Sequence, residues 1–282
     1  MQSILSNSSI KIFLVISFSV FILINCEGTT KPDPGPNAPA LPPQSTMLIS
    51  FSGLIDGTNV NLSEGALSKT GNSLVGTNWQ YSAFVVGFWT TITTGTMLIP
   101  VTAFGATINT TPEYIGNLRW KWTKTFTSLL VQYTAELYGQ IDGDKVNWEM
   151  HISRTGGFSD FLWFTGESNV NGTGGTWIFN KSQENPVAFL QVGWTRPDLG
   201  IADLRYEIIE ADSEGEGSFI YYSFNADSVF NSSCSLYNAA DDINVDVEWS
   251  SIDRSGHVKS PGYFSDELWH CWDENRNNIN CN

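Results

Sequence analysis

Residues 131–153 read VQYTAELYGQIDGDKVNWEMHIS, and this stretch decides the fold class. A turn over Gly143 and Asp144 pairs Ile141 with Val146 and sets Gly139 opposite Trp148. Because side chains alternate along a strand, one face is apolar and holds Ala135, Leu137, Gly139 and Ile141 opposite Ile152, Met150, Trp148 and Val146. The other face is polar. It holds Gln132, Thr134, Glu136, Tyr138 and Gln140 on the first strand and Asn147, Glu149, His151 and Ser153 on the second. A hairpin with two such faces predicts an antiparallel sheet that is buried on one side.

The same alternation on either side of this hairpin predicts a mainly β domain. Trp120, Trp122 and Phe126 share one face of the strand that precedes it. Gly-rich or acidic turns separate further predicted strands at 46–52, 160–168, 176–179, 187–195, 202–210, 218–225 and 243–250. About ten strands in sequence order predict an antiparallel meander that forms a barrel or a strongly curled sheet.

Residues 70–112 contain no charged side chain and interrupt the β pattern. Apolar residues recur at helical spacing before Gly95 (Tyr81, Phe84, Val85, Phe88, Trp89 and Ile92) and after it (Met97, Val101, Phe104 and Ile108). This spacing predicts a pair of short apolar helices packed on the sheet, and two long buried strands are the alternative. Each helix is too short to cross a bilayer, which favours a buried plug over membrane insertion.

Composition excludes one class of partner. The formal net charge is −15, so the surface repels phosphate backbones and we expect no nucleic-acid partner. Aromatic residues make up 13% of the chain and include eleven Trp, which is typical of a globular protein rather than a disordered one.

The amino terminus predicts export and membrane attachment. Residues 12–24 form an apolar run that is too short for a transmembrane helix and is typical of a signal peptide. The run ends in Leu23-Ile24-Asn25-Cys26, which resembles the lipobox of bacterial lipoproteins, although Asn25 stands where Gly, Ala or Ser is usual. The resemblance implies that residues 1–25 are removed and that Cys26 carries a lipid. A plain secretory signal with a chance Cys is the alternative.

The segment that follows fits a membrane tether. Residues 26–45 are rich in proline and predict an extended spacer without a packed core. Residues 46–282 are then expected to form a single β-rich domain. The protein is expected to be exported and anchored through Cys26 at the outer membrane or the cell surface.

The carboxyl-terminal tail predicts a disulfide. Cys271 and Cys281 are close in sequence, and an exported protein meets an oxidising environment, so these two are expected to pair. Cys234 is then a free thiol, although its pairing with either of the other two stays open. Ser265 is expected to begin a short helix that contains Trp269 and Trp272.

No catalytic motif stands out, and we expect no cofactor. Glu136 and His151 face each other in the predicted register, which indicates a cross-strand charge pair rather than a catalytic pair. The acidic tail 273–277 resembles the start of a calcium loop, but the chain ends before the twelfth position, where that loop needs a glutamate. A capped helix tied by the disulfide explains these charges without a metal.

The sequence is compatible with three function classes. The first is a non-catalytic binding protein for an apolar or lipid-like ligand. Its expected lining residues are Trp79, Phe84, Phe88, Trp89, Phe104 and Trp148. The second is a carbohydrate-binding or carbohydrate-active module that uses exposed Trp and carboxylates, and the third is a structural surface protein. The chain loosely resembles envelope lipoproteins of unassigned function and, in architecture only, lipocalin-like carriers whose open barrel and helical lid hold lipid chains.

Overall fold

The computed structural model describes residues 36–55, 76–196 and 203–281, all of which belong to one compact unit. Its main feature is an antiparallel sheet of fourteen strands that are paired in sequence order. Within the described residues β1 and β14 are the two edges, so the sheet is open and curled rather than closed. This confirms the predicted antiparallel meander.

The strands have the following bounds: β1 Glu113–Gly116, β2 Arg119–Ser128, β3 Val131–Asp142, β4 Lys145–Arg154, β5 Phe161–Asn169, β6 Gly174–Asn180, β7 Ala188–Thr195, β8 Asp203–Ile208, β9 Phe219–Phe224, β10 Ser232–Asn238, β11 Ile243–Trp249, β12 Gly256–Lys259, β13 His270–Trp272 and β14 Asn278–Ile279. Among the described residues two α-helices accompany them, α1 Asn78–Thr107 and α2 Pro261–Phe264, and a 3-10 helix spans Gln44–Thr46.

The predicted register of the β3–β4 hairpin is confirmed. Ile141 pairs with Val146, Gly139 with Trp148, and the turn lies between Asp142 and Lys145. Every residue that was assigned to the apolar face of β4 is buried, whereas its polar face is partly or fully exposed. The alternation in the sequence therefore identifies the face of the sheet that the core covers.

The prediction of about ten strands misses five and includes one that does not form. The missed strands are β1, β10, β12, β13 and β14, most of which are short. Residues 46–52, predicted as the first strand, instead leave the 3-10 helix as irregular chain that joins no strand. Met47 of this segment and Leu54, two residues beyond it, are fully buried in the core. The segment thus contributes apolar side chains to the core without adding to the sheet.

Helix α1 is one continuous helix with a bend where the sequence predicts a break. Thr77 and Gln80 form a capping box at its start, in which the Thr77 hydroxyl accepts from the Gln80 amide at 3.2 Å. The two halves, Asn78–Thr91 and Gly95–Thr107, meet at 62°. Pro100 has no N–H for the carbonyl of Thr96, and Gly95 has no side chain to stiffen the turn, so both favour a bend here. Helix rather than strand is confirmed for this segment.

The sheet curls around α1, which packs against strands near both ends of the meander, namely β2, β3 and β4 and also β12 and β13. In the second half of the helix Phe104 is fully buried and packs on Phe164 and Trp177 at ring-centroid distances of 6.2 and 5.5 Å. No single helix among the described residues is long and apolar enough to cross a membrane; the bent pair in α1 passes that test by length and composition only.

Glycine and tryptophan face each other across several neighbouring strands on the inner face of the sheet. Four of these pairs pack closely, namely Gly139 with Trp148, Gly166 with Trp177, Gly175 with Trp194 and Gly256 with Trp272. In each pair the indole lies over the glycine, so that an added Cβ on Gly139 would sit 2.5 Å from Cζ3 of Trp148. The missing side chain provides the room for the indole, and each Trp here is almost fully buried.

The tail confirms the predicted disulfide and corrects the predicted helix. Cys271 and Cys281 are bonded, with Cα atoms 5.3 Å apart, and Cys234 is a buried free thiol. Ser265 does not begin a helix: it is the left-handed residue that ends α2, with φ 65°. Trp272 lies in strand β13, and its indole donates to the carbonyl of Arg254 at 2.8 Å.

Candidate ligand-binding cavity

The first half of α1 lines a cavity of about 680 Å³ on the inner side of the sheet. Its helical wall consists of Tyr81, Phe84, Val85, Phe88 and Trp89, the residues that the sequence places on one helix face. Phe88 is 55% exposed and stands at the mouth, whereas Trp89 is buried. One apolar face of α1 therefore turns toward open space rather than toward packed side chains.

The opposite wall comes from strands β8, β10 and β11. Ile208, Leu236, Ile243 and Val245 point from these strands into the cavity. Helix α1 packs mainly on β2–β4 and on β12 and β13, and the cavity lies between its first half and strands outside these contacts.

Helix α2 closes one end of the cavity through an aromatic stack. The rings of Tyr81 and Tyr263 are parallel, with centroids 3.7 Å apart, and Phe264 packs edge-on against Tyr81. The Tyr81 and Ser260 hydroxyls lie 2.8 Å apart in a buried hydrogen bond. Burial raises the pKa of both Tyr81 and Tyr263, so both phenols are neutral at physiological pH.

The rim is acidic. It is formed by the β8–β9 loop, which contributes Glu214, and by the β10–β11 turn, which contributes Asp241. In an antiparallel meander these two connections lie at the same edge of the sheet, and Ala239 of one donates to the Ser218 hydroxyl of the other at 2.9 Å. Among the described residues that line the cavity there is no Lys, Arg or His.

The six aromatic residues predicted to line a ligand site separate into two groups. Phe84, Phe88 and Trp89 line the cavity. Trp148 and Phe104 are core residues away from it, and the Trp148 indole donates to the Ser168 hydroxyl at 2.9 Å. Trp79 lies at the start of α1, where it donates to the carbonyl of Leu54 and Arg276 covers its ring.

Sequence reasoning did not find the strand wall or the acidic rim. The strand predicted at 243–250 and the acidic turn between those predicted at 202–210 and 218–225 contain residues of both, but neither pattern distinguishes a cavity wall from a packed core. Which strands stand away from a helix depends on the curvature of the whole sheet. That curvature has no local signal in the sequence.

Glu136 and His151 face each other across β3 and β4 but interact with other groups. Glu136 pairs with Lys121 at 3.2 Å, and Nδ1 of His151 lies 2.9 Å from Asp160. Glu136 with Lys121 and Arg119 with Glu149 form ion pairs on the outer face of the sheet. They form no cleft of the kind that a catalytic pair needs.

A shallower groove of about 320 Å³ crosses the outer face near Gly166, between Glu149 and Glu167. Both carboxylates are ion-paired, Glu149 with Arg119 at 2.7 Å and Glu167 with Lys145 at 3.1 Å. The groove offers no exposed indole, because the side chain of Trp148 is buried on the other side of the sheet. It lacks the aromatic platform that a sugar site uses.

The acidic tail holds no metal site within the described residues, where no three potential ligands cluster. Asp273 instead accepts hydrogen bonds from the backbone of Asn275 and Asn277, both at 2.9 Å, and shapes the β13–β14 turn. The predicted lipid attachment at Cys26 lies outside the described residues.

Comparison of the chain with protein-family models, with curated protein sequences and with solved structures found no match in any of the three. The geometry of the cavity is therefore the basis for the proposal that follows.

Proposed function

We propose that this chain is a lipid-anchored envelope protein whose β domain binds an apolar, lipid-like ligand without catalysis. The observation that carries the proposal is the cavity of about 680 Å³ between the first half of α1 and strands β8, β10 and β11. Its volume falls within the range of about 300–1,000 Å³ that is usual for small-molecule sites.

The chemistry of the walls supports an apolar ligand. Aromatic and aliphatic side chains make up both walls, and Phe88 remains 55% exposed at the mouth. Apolar surface left in contact with water is unfavourable, and a ligand that covers it gains about 25 cal/mol for each Å² removed from water.

Attachment to the membrane is tested by fatty-acid labelling. Cells that express the wild type and Cys26→Ala receive a fatty acid with a clickable tag. The wild type is expected to incorporate the label and the variant to lose it. Equal labelling of the two would reject the lipid anchor.

Ligand binding is tested with a dye such as phenylnaphthylamine, whose emission rises in apolar surroundings. Val85 is part of the helical wall, so Val85→Trp places a large ring inside the cavity. Leu98 lies on the same helix, is 38% exposed and is outside the cavity, so Leu98→Trp is the matched control. We expect dye binding in the wild type and the control and its loss in Val85→Trp. Equal binding in both variants would place the dye elsewhere.

A further inference from the structure

We propose that the ligand is a cationic amphiphile, with an apolar body inside the cavity and an ammonium group at its rim. This rests on the proposed function and names the chemistry of the ligand's polar end. The reasons are the charge of the two rim loops, the aromatic content of the walls and the absence of basic lining residues.

The charge of the rim has one sign. The β8–β9 and β10–β11 connections contain Glu210, Asp212, Glu214, Glu216, Asp241 and Asp242, and no Lys or Arg. Lys181 neutralises Glu210 at 2.7 Å, but neither Glu214 nor Asp241 has an ion-pair partner among the described residues. The negative charge of Asp242 also raises the pKa of Tyr237 beside the cavity, as a region of negative potential would.

The walls provide a second attraction for a cation. Tyr81, Phe84, Phe88, Trp89, Tyr237 and Tyr263 all line the cavity. The faces of aromatic rings carry partial negative charge and attract ammonium groups, and quaternary ammonium ions are commonly held in this way. Aromatic rings also contact an apolar chain well, so the same walls suit both ends of an amphiphile.

A fatty acid or a phosphate-bearing lipid fits this cavity poorly. Its anionic end would need a Lys, an Arg or an exposed helix N-terminus, and the described lining residues provide no basic side chain. At the rim it would meet Glu214 and Asp241, and like charges at short range raise the free energy of the complex. The site therefore discriminates against anions as well as favouring cations.

The test uses three photoreactive probes that share one apolar chain and end in a trimethylammonium, a hydroxyl or a carboxylate group. The full exported chain is reconstituted in phospholipid nanodiscs and irradiated with each probe. Mass spectrometry of the peptides that contain 81–89 then measures labelling inside the cavity, as distinct from probe dissolved in lipid.

We expect half-maximal labelling by the ammonium probe at a concentration about ten-fold below that of the carboxylate probe, with the hydroxyl probe between them. Glu214→Gln combined with Asp241→Asn should remove most of this preference and leave labelling by the hydroxyl probe unchanged. Asp142→Asn combined with Glu184→Gln changes the net charge equally at exposed positions outside the cavity and should keep the preference.

The outcomes separate this inference from the proposed function. Equal labelling by all three probes, a preference for the carboxylate, or an ammonium preference that survives the double rim variant would overturn the cationic ligand and leave an apolar site intact. Failure of all three probes to label 81–89 would reject the ligand-binding function itself, and the cationic ligand with it.

Discussion

Replacing Gly166 by alanine tests whether the glycine–tryptophan pairs are necessary for the inner face of the sheet. An added Cβ at Gly166 would overlap Cε3 of Trp177 and lie 2.5 Å from its Cζ3 and 2.9 Å from the carbonyl oxygen of Thr176. Gly193 is the matched control, because it also lies inside a strand and an added Cβ there meets nothing within 4 Å.

The magnitude follows from how little Trp177 can move. Its indole donates to the Thr46 hydroxyl at 3.2 Å and packs between Phe104 and Phe164, whose ring centroids are each 5.5 Å away. Overpacking of a tight core costs about 1–3 kcal/mol of unfolding free energy. Gly193→Ala should instead be neutral or gain up to about 1 kcal/mol, because alanine restricts the unfolded chain. We therefore expect the two variants to differ by about 1–4 kcal/mol.

Urea denaturation followed by tryptophan fluorescence measures both free energies, with equal m-values as the condition for comparing them. If the indole causes the cost, Gly166→Ala should be less destabilising in a Trp177→Leu background, which a double-mutant cycle detects. Equal stability of Gly166→Ala and Gly193→Ala would refute the close packing of indole on glycine.

Three further predictions concern the core and the cysteines. Trp148→Ala should lower the free energy of unfolding by about 3–5 kcal/mol, because the side chain is buried. Glu149→Gln on the outer face should change this free energy by less than about 1 kcal/mol. Equal denaturation midpoints of the two variants would contradict this. Replacing Cys271 and Cys281 together by serine should cost about 2–3 kcal/mol, since it opens a loop of ten residues, and unchanged thermal melting would count against a stabilising role. Burial raises the pKa of the Cys234 thiol, so this thiol stays protonated at neutral pH. It should therefore react with Ellman's reagent only after denaturation. Rapid reaction in the native protein would show that the thiol is accessible.

The β3–β4 hairpin was predictable because two independent signals agree in its sequence. Strict alternation identifies the buried face, and Asp142-Gly143-Asp144 supplies residues that favour a tight turn. Strand β10 was missed because Ser232, Ser233 and Ser235 weaken the alternation, leaving Cys234 and Leu236 as its buried apolar residues. Its position is determined by pairing with β9 and β11 rather than by its own composition.

The segment 46–52 shows the limit of alternation as evidence for a strand. Met47, Ile49 and Phe51 alternate with polar or exposed residues, but the segment lies against the sheet's inner face and pairs with no strand. Indole N–H groups bind it instead: Trp249 donates to the carbonyl of Ser52 at 2.9 Å. Contacts of this kind join residues far apart in sequence, so no local pattern predicts them.

The sequence predicted the helical wall of the candidate site but not its strand wall, because the strand wall depends on contacts between residues far apart in sequence. Helical spacing identified the face of α1 that lines the cavity, from Tyr81 to Trp89. Whether that face packs tightly or borders open space depends on the distance to strands β8, β10 and β11. That distance follows from the curl of a fourteen-stranded sheet and from its packing on α1.

Native mass spectrometry of the protein exported by its own host tests the central claim most directly. A protein that carries an apolar ligand should show, besides its own mass, a discrete additional mass that dissociates on activation and is recovered by organic extraction. Val85→Trp should lack this mass and Leu98→Trp should retain it. Wild-type protein free of any such molecule, or the same bound mass in Val85→Trp, would contradict ligand binding in the cavity.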